Sequence, residues 1–129
     1  MLAARGLVKS FGRQPVLRGI DLDLAESRTL AVLGRSGCGK TTLLKILAGL
    51  LPADSGTVRL DGRDITQVPP EKRNVLYLYQ EALLFPHLSV FDNVAFGLRL
   101  RRRPEGAVRA AVAALLSEHQ LPGEVEHQI

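Results

Sequence analysis

The feature that most constrains the fold is a glycine-rich octapeptide at residues 34–41, between an apolar run and an amphipathic segment. It reads Gly-Arg-Ser-Gly-Cys-Gly-Lys-Thr and fits the pattern G-x-x-x-x-G-K-[ST]. Gly34, Gly37 and Gly39 leave space and allow backbone torsions that side chains disfavour, so successive N–H groups can surround a polyphosphate. A helix beginning at Lys40 would point its N-terminus at the same anion. The octapeptide therefore predicts a phosphate-binding loop.

Side chains in and beside this loop suit a nucleotide triphosphate. We expect Lys40 to reach the β- and γ-phosphates and the Thr41 hydroxyl to bind Mg2+. Arg35 and Ser36 either contact phosphate or are merely tolerated, and Cys38 is either a small residue that fits or a redox-sensitive thiol. The residues predicted here to bind the nucleotide are Gly34, Arg35, Ser36, Gly37, Cys38, Gly39, Lys40, Thr41 and Thr42.

The segments on either side of the loop favour this interpretation over a glycine-rich turn before an ordinary helix. Thr29–Leu33 is short, apolar and uninterrupted, which predicts a strand buried on both faces. Residues 40–50 predict a helix that stops near Gly49. Its predicted inward-facing residues are Leu43, Leu44, Ile46 and Leu47.

The rest of the chain alternates between strand and helix signals. The predicted strands are residues 2–9, 16–24, 57–60 and 74–79, with turns at residues 12–15 and at Asp61-Gly62. In the second of these strands, Ile20, Leu22 and Leu24 alternate with Asp21 and Asp23, as in a half-exposed strand. Ser89 predicts the N-cap of a helix that runs to about Leu100, and a second helix is predicted from Pro104 to His119.

Composition limits the classes of protein to consider. The 129 residues are 46% hydrophobic, enough for one modest core, and no apolar run approaches the length needed to span a bilayer. One cysteine and no signal-peptide pattern favour the cytoplasm. The net charge of +4 is partly local, at Arg99 and residues 101–103. This run suits nucleic acid, an anionic membrane or a solvated helix end; we favour the last, because no aromatics are interleaved, and predict no nucleic-acid partner.

Downstream of the loop, residues 43–58 read LLKILAGLLPADSGTV and resemble the nucleotide-binding domains of ABC transporters. Further similar pieces follow in the family's order: DGRDI at 61–65, VPPEKRN at 68–74, YQ at 79–80, LFPHLSV at 84–90 and DNV at 92–94. The resemblance spans roughly residues 3–100 and is greatest to import ATPases for sugars, polyamines and iron. It implies an α/β fold, an incomplete P-loop NTPase core with antiparallel N-terminal strands and the start of a helical subdomain.

The same resemblance implies ATP and Mg2+ as ligands and assigns roles beyond the loop. Phe11 resembles the aromatic residue that stacks on adenine, although a core aromatic is the alternative, and Val16 is expected near the same base. Gln80 resembles the glutamine that contacts Mg2+ and the attacking water, although it could simply be a polar residue ending a strand. Thr41 and Gln80 are thus the expected metal ligands, and Gln80 the expected catalytic residue.

Partners and domain organisation are also implied by the resemblance. Residues 80–88 resemble the surface that receives a helix of a transmembrane permease, and the apolar Leu83, Leu84 and Phe85 would otherwise form an unusual exposed patch. The family pairs two ATPase subunits on the inner face of the membrane. We expect an ATP-binding α/β core at residues 1–88 and the start of a helical subdomain at 89–129.

Several parts of a complete ABC ATPase do not occur in this sequence. It contains no LSGGQ signature and, after residue 80, no apolar run ending in Asp-Glu; His119 and His127 lie too early for the switch histidine. We therefore expect an N-terminal portion of a transport ATPase that does not hydrolyse ATP alone. The alternatives are a nucleotide-binding or interaction fragment without turnover, or another P-loop enzyme. A GTPase would carry N-K-x-D, and Arg99–Arg103 is the one candidate for a kinase lid.

Overall fold

The computed structural model describes residues 1–81 and 83–119, which form two compact units. The first unit is Met1–Leu78 and the second begins at Tyr79. The domain boundary expected between residues 88 and 89 stays a prediction. In the described part of the chain, no helix is long and apolar enough to cross a bilayer. His127 lies outside the described residues.

A four-stranded antiparallel sheet forms the framework of the first unit, with strand order β2-β1-β3-β4. The strands are β1 (Leu2–Phe11), β2 (Gln14–Leu24), β3 (Ser55–Leu60) and β4 (Arg63–Asp64). The predicted N-terminal hairpin is confirmed, although its turn is shorter than expected because Pro15 already pairs with Ser10. Asp61 and Gly62 both have positive φ, +50° and +79°, which is the geometry of a tight hairpin turn.

Alternation along β2 follows the predicted pattern. Ile20, Leu22 and Leu24 are half-buried, whereas Asp21 and Asp23 face solvent. The two carboxylates are nevertheless used, since Asp21 accepts a hydrogen bond from the Gly6 N–H at 2.6 Å and Asp23 pairs with the Arg5 guanidinium at 2.7 Å. One face of β2 thus contributes to the core while the other is tied by polar contacts to β1.

Helix α1 (Lys40–Ala48) packs into the core of the first unit beside the sheet. Its buried residues are Leu43, Ile46, Leu47 and Ala48, and the first three join Leu7 and Val58 of the strands in one core. Leu44, predicted to face inward, is instead 43% exposed and lines the edge of an apolar groove. The predicted stop at Gly49 is confirmed, because Gly49 has φ +82° and its N–H donates to the Ile46 carbonyl.

Two predicted strands are absent from the sheet. Residues 29–33 and 75–79 have no regular secondary structure, and Leu33 and Leu76 are 90% and 83% exposed. The prediction of buried strands was therefore wrong for both segments. A strand buried on both faces requires ladder partners on both sides, and none of the described strands pairs with either segment.

The second unit is a pair of helices, α2 (Val90–Leu100) and α3 (Glu105–Glu118). Both predicted helices are confirmed, and so is the cap, since the Ser89 hydroxyl accepts from the Asp92 N–H at 3.0 Å. Ala95, Val108, Val112 and Leu116 form the core between them. Arg99 lies in the last turn of α2, where it pairs with Asp92 and Glu105, so the basic run is a helix end as predicted.

Candidate nucleotide-binding site

The loop at residues 34–39 has backbone torsions that its glycines make accessible. Gly37 and Gly39 have φ of +78° and +99°, in the region that favours glycine. A Cβ placed on Gly39 would lie 2.9 Å from Val16 Cγ1 and 3.0 Å from Leu17 Cδ2. Gly39 is thus required twice, for its torsion and for the close approach of the loop to β2.

Lys40 bridges the two ends of the loop. Its ammonium donates hydrogen bonds to the carbonyl oxygens of Gly34 at 2.6 Å and Arg35 at 2.7 Å. Lys40 is the first residue of α1, so its side chain reaches back from the helix start to the loop start. This places a positive charge against the same backbone that the motif predicts will surround a polyphosphate.

The N-terminus of α1 is suited to an anion. Its N-cap is Gly39, which has no side chain to accept hydrogen bonds from the first-turn N–H groups, and the first turn contains no acidic residue. The backbone donors of a helix start seek acceptors, and the helix dipole adds about half a positive charge there. Phosphate oxygens would satisfy both requirements. Thr41, the predicted Mg2+ ligand, is exposed, and Thr42 is half-buried.

Cys38 lies alongside the start of the loop. Its sulfur would be 2.7 Å from a Cβ at Gly34, and it is 3.7 Å from the Lys40 ammonium. The thiol therefore occupies the space that the missing side chain of Gly34 leaves, which accounts for a small residue there. Cys38 is exposed and not in a disulfide, and its redox role stays a prediction.

Phe11 presents an aromatic ring at the end of β1. The side chain is 51% exposed, so the alternative of a core aromatic does not describe it. The Lys9 ammonium lies 5.7 Å from the ring centroid, within the range of a cation–π contact. An exposed ring held from one side leaves the other face for a planar partner, which is the chemistry a purine would use.

Asp54 anchors the strand segment that carries this ring. Its carboxylate accepts from the Lys9 ammonium at 2.8 Å and from the Ser10 N–H at 2.7 Å, while its own N–H donates to the Val8 carbonyl. The hydrogen bond from Lys9, followed by that from Ser10, holds the pKa of Asp54 below its ordinary value. Lys9 and Asp54 therefore support Phe11.

The first unit brings together only some of the predicted nucleotide-binding residues. Val16 is adjacent to Gly39, so the hairpin and the phosphate loop meet there. Phe11 is at the turn end of the same hairpin, next to Gly12, and its ladder partner Gln14 is two residues before Val16. Gln80 belongs to the second unit, where it is exposed in a bend. Its predicted contact with Mg2+ stays a prediction.

The second unit carries the surface predicted to receive a partner. Leu83, Leu84 and Phe85 are 68%, 48% and 40% exposed, and the Phe85 ring packs on Phe96 with centroids 4.6 Å apart. Asn93 holds this segment, because its amide oxygen accepts from the Phe85 N–H at 2.8 Å and its amide nitrogen donates to the carbonyls of Phe85, Leu88 and Ser89. The apolar patch is thus fixed by a polar residue of α2.

The sequence reading assigned no role to Lys9, Arg73 or Asn93. Arg73 is 5% exposed and bonds four carbonyl oxygens, and Asn93 bonds four backbone groups. Both lie within the stretches that carried the family resemblance, but their types are ordinary for surface positions. For Lys9, the available signal was its place two residues before Phe11, because residues two apart in a strand lie on the same face.

A phosphate loop that opens a helix, set against an antiparallel sheet with an exposed aromatic ring, defines the class of P-loop nucleotide-binding proteins. A model of the ABC transporter family matches residues 17–129. The chain belongs to the ABC transporter family, and its fold is that of part of the α/β nucleotide-binding domain. This match displaces the GTPase and small-molecule kinase alternatives.

Curated relatives of the chain are ATP-binding proteins of importers. The chain is 45% identical over 121 residues to the spermidine/putrescine import ATP-binding protein PotA of Aggregatibacter actinomycetemcomitans. It is 48% identical over 124 residues to PotA of Methylococcus capsulatus, and 43% identical over 135 residues to PotA of Aliivibrio fischeri. These alignments cover 94%, 96% and 96% of this chain but 32%, 32% and 36% of the relatives. The chain thus spans about a third of the length of these relatives.

Proposed function

We propose that residues 34–42 bind the phosphates of Mg-ATP, and that the whole protein couples ATP binding and hydrolysis to solute import by an ABC transporter. The observation that carries the proposal is the position of the Lys40 ammonium, 2.6 and 2.7 Å from the carbonyl oxygens of Gly34 and Arg35. It lies at the N-terminus of a helix whose first turn contains no acidic residue. A single charge placed there can exchange its carbonyl partners for phosphate oxygens without moving the helix.

Several of the predicted residues have a specific role in this proposal. The N–H groups of the loop and of the first turn of α1 receive phosphate oxygens, and Lys40 neutralises the β- and γ-phosphates. The Thr41 hydroxyl and the Gln80 amide oxygen are hard donors of the kind Mg2+ prefers. These two side chains would hold Mg2+, which would offset the negative charge of the phosphates. Phe11 stacks on the adenine, and Val16 packs near the same base.

Import is supported by the relatives, which are named for import of spermidine and putrescine. Polyamines are therefore the solute class that we propose for the whole transporter. A nucleotide-binding subunit does not itself need to contact the solute, so the direction and the solute both rest on the relatives. We also propose a second ATPase subunit as partner, in a pair that encloses ATP.

We further propose that the surface at residues 80–88 receives a helix of the transmembrane permease, which would place the protein in the cytoplasm at the inner face of the membrane. The exposed Leu83 and Leu84 supply apolar contact area, and the Phe85–Phe96 pair supplies a rigid aromatic platform. Because Asn93 fixes the backbone of Phe85, the patch is preformed and loses little conformational entropy on docking.

A second candidate function is nucleotide binding without turnover by the chain itself. The observation that favours it is the sequence after residue 80, which contains neither LSGGQ nor an apolar run ending in Asp-Glu. Without a carboxylate to activate water, a bound triphosphate would stay intact. Phosphate release by the purified chain separates the two: release near background supports binding alone, and turnover sensitive to Gln80→Ala supports hydrolysis.

The test of ATP binding is a titration of the purified chain with a fluorescent ATP analogue, with and without Mg2+. We expect Lys40→Ala to weaken binding at least tenfold, about 1.4 kcal/mol, because it removes the ammonium at the first position of α1. Lys45→Ala is the matched control, since Lys45 carries the same charge in the last turn of α1. Equal binding by the wild type and Lys40→Ala would contradict the proposal, as would equal losses in both variants.

A further inference from the structure

One buried charge in the first unit is not used by the proposed nucleotide site. Among the residues that the structure describes, Arg73 is the charged residue that is buried, with 5% of its surface exposed. It follows a short 3-10 turn at Pro70–Lys72 and sits at the far end of α1 from the phosphate loop. Burying a guanidinium costs free energy unless its N–H donors find hydrogen-bond acceptors. The location of those acceptors therefore indicates what Arg73 does.

The Arg73 guanidinium bonds two separate segments. On one side, Nη1 donates to the carbonyls of Ile46 at 2.8 Å and Leu47 at 3.1 Å, in the last turn of α1. On the other, Nε donates to the Val68 carbonyl and Nη2 to the Thr66 carbonyl, each at 2.6 Å. All partners are carbonyl oxygens at a helix end and a loop, where backbone acceptors otherwise lack partners.

The Thr66 segment is in turn fixed to the sheet. The Val58 N–H donates to the Thr66 hydroxyl at 2.9 Å, and the Ile65 N–H donates to the Val58 carbonyl at 2.9 Å. Val58 is 1% exposed in the centre of β3. Arg73 therefore connects the C-terminal end of α1, through a loop, to the buried middle of β3.

Gly49 is shaped to admit this side chain. A Cβ at Gly49 would lie 2.4 Å from Arg73 Nε and 2.8 Å from Cζ, closer than real atoms approach. The glycine that ends α1 thus serves the guanidinium as well as the left-handed cap. A positive charge at a helix C-terminus also complements the helix dipole, and burial lowers the pKa of Arg73 without discharging it.

We propose that Arg73 is a positioning residue for the phosphate loop: by holding the C-terminal end of α1, it fixes the N-terminal end that carries Lys40 and Thr41. Helix α1 has nine residues, so its two ends are joined by little more than two turns of rigid backbone. A tilt allowed at one end displaces the donors at the other. The consequence for ATP rests on the proposed function, but the positioning of the helix does not.

The experiment measures affinity and local opening in Arg73→Met, with Lys72→Met as the matched control, because Lys72 is adjacent and exposed. Affinity and local opening are both measured at a temperature well below the unfolding transition. A loss of global stability alone then leaves the affinity of the folded molecules unchanged. We expect Arg73→Met to weaken binding of the ATP analogue at least fivefold and Lys72→Met less than twofold. Arg73→Lys should fall between, because one ammonium cannot span carbonyls on two segments.

Local opening is read without nucleotide, by hydrogen exchange of the Leu43 N–H, which bonds the Gly39 carbonyl at 2.8 Å in the first turn of α1. We expect at least fivefold faster exchange in Arg73→Met and no change at the Asn93 N–H in α2. Gly49→Ala should act in the same direction, since its methyl group displaces the guanidinium.

The outcomes separate this inference from the proposed function. Unchanged Leu43 exchange in both Arg73→Met and Arg73→Lys would overturn the inference, as would faster exchange with unchanged ATP affinity. A wild-type chain that binds no ATP would defeat the proposed function, and the Leu43 exchange rates alone would then decide whether Arg73 positions the helix.

Discussion

Leu7 and Leu33 belong to the same unit and have opposite environments. Leu7 is fully buried in β1, which pairs with β2 on one side and β3 on the other. Leu33 is 90% exposed in an extended segment that is not part of the sheet. Residues 75–79 resemble the second case, since Leu76 and Leu78 are 83% and 81% exposed.

The difference between the two regions comes from pairing and not from side-chain type. β1 and β2 are joined by a tight turn, so each supplies the other's ladder partner at low entropic cost. Some residues of the two extended segments instead line an apolar groove of about 160 Å³ with Leu22 and Leu44; they are Leu30, Val32, Val75, Leu76 and Tyr77. A short apolar segment thus becomes a core strand only where a partner strand lies close in the chain or in space.

The largest expected effect contrasts these two leucines directly. Leu7→Ala should lower the free energy of unfolding by about 2–5 kcal/mol, because it opens a cavity in the centre of the core. Leu33→Ala should change it by less than about 0.5 kcal/mol, because the side chain is already in solvent. Urea unfolding of both variants measures this. Comparable losses in the two variants would break the comparison, since Leu33 would then be buried in solution.

How well each part of the described chain could be predicted follows the same division. The hairpin, the Asp61-Gly62 turn, the helix at Lys40 and the cap at Ser89 all depend on interactions within a few residues, and all are confirmed. Arg73 could not be assigned from its residue type, because its partners at Ile46 and Leu47 are more than twenty-five residues away.

The two extended segments failed as predictions for a related reason. An apolar run indicates that a segment prefers burial, but it does not specify which strand will cover it. Pairing of central strands depends on contacts far apart in sequence, and such contacts leave no local pattern. The phosphate loop is the opposite case, because its glycines and Lys40 lie within one octapeptide.

The second prediction tests whether the phosphate loop at residues 34–39 is held in place by its contact with the paired strand β2. Gly39→Ala should destabilise the chain by about 1–3 kcal/mol, because φ is +99° and the new methyl group would meet Val16 and Leu17 of β2. Gly37→Ala is the matched control, with φ +78° but no atom within 4 Å of its Cβ, so only torsional strain applies. Thermal unfolding of both compares them. Equal losses would show that contact with β2 does not anchor the loop.

The smallest effect concerns one contribution to the acid side of the pH–stability curve, that of Asp54 beside the end of β1. The Asp54 carboxylate has a pKa below its ordinary 3.8, because Lys9 and then the Ser10 N–H stabilise its charged form. Its contribution to stability is therefore present above pH 3.8 and is lost as the pH falls through the lower folded pKa. The extended segment at 29–33 contains no titratable side chain and cannot contribute to this slope.

Asp54→Asn should be slightly less stable than the wild type at pH 7, and the difference should shrink as the pH falls through the lowered pKa and the wild-type carboxylate becomes protonated. Urea midpoints measured from about pH 7 to pH 2 test this. Lys9→Met should reproduce part of the change, because it removes the larger cause of the lowered pKa, and 1 M NaCl should reduce the difference by screening an exposed pair. A difference that stays constant down to pH 2 would mean that the asparagine disturbs β1 by shape and not by charge.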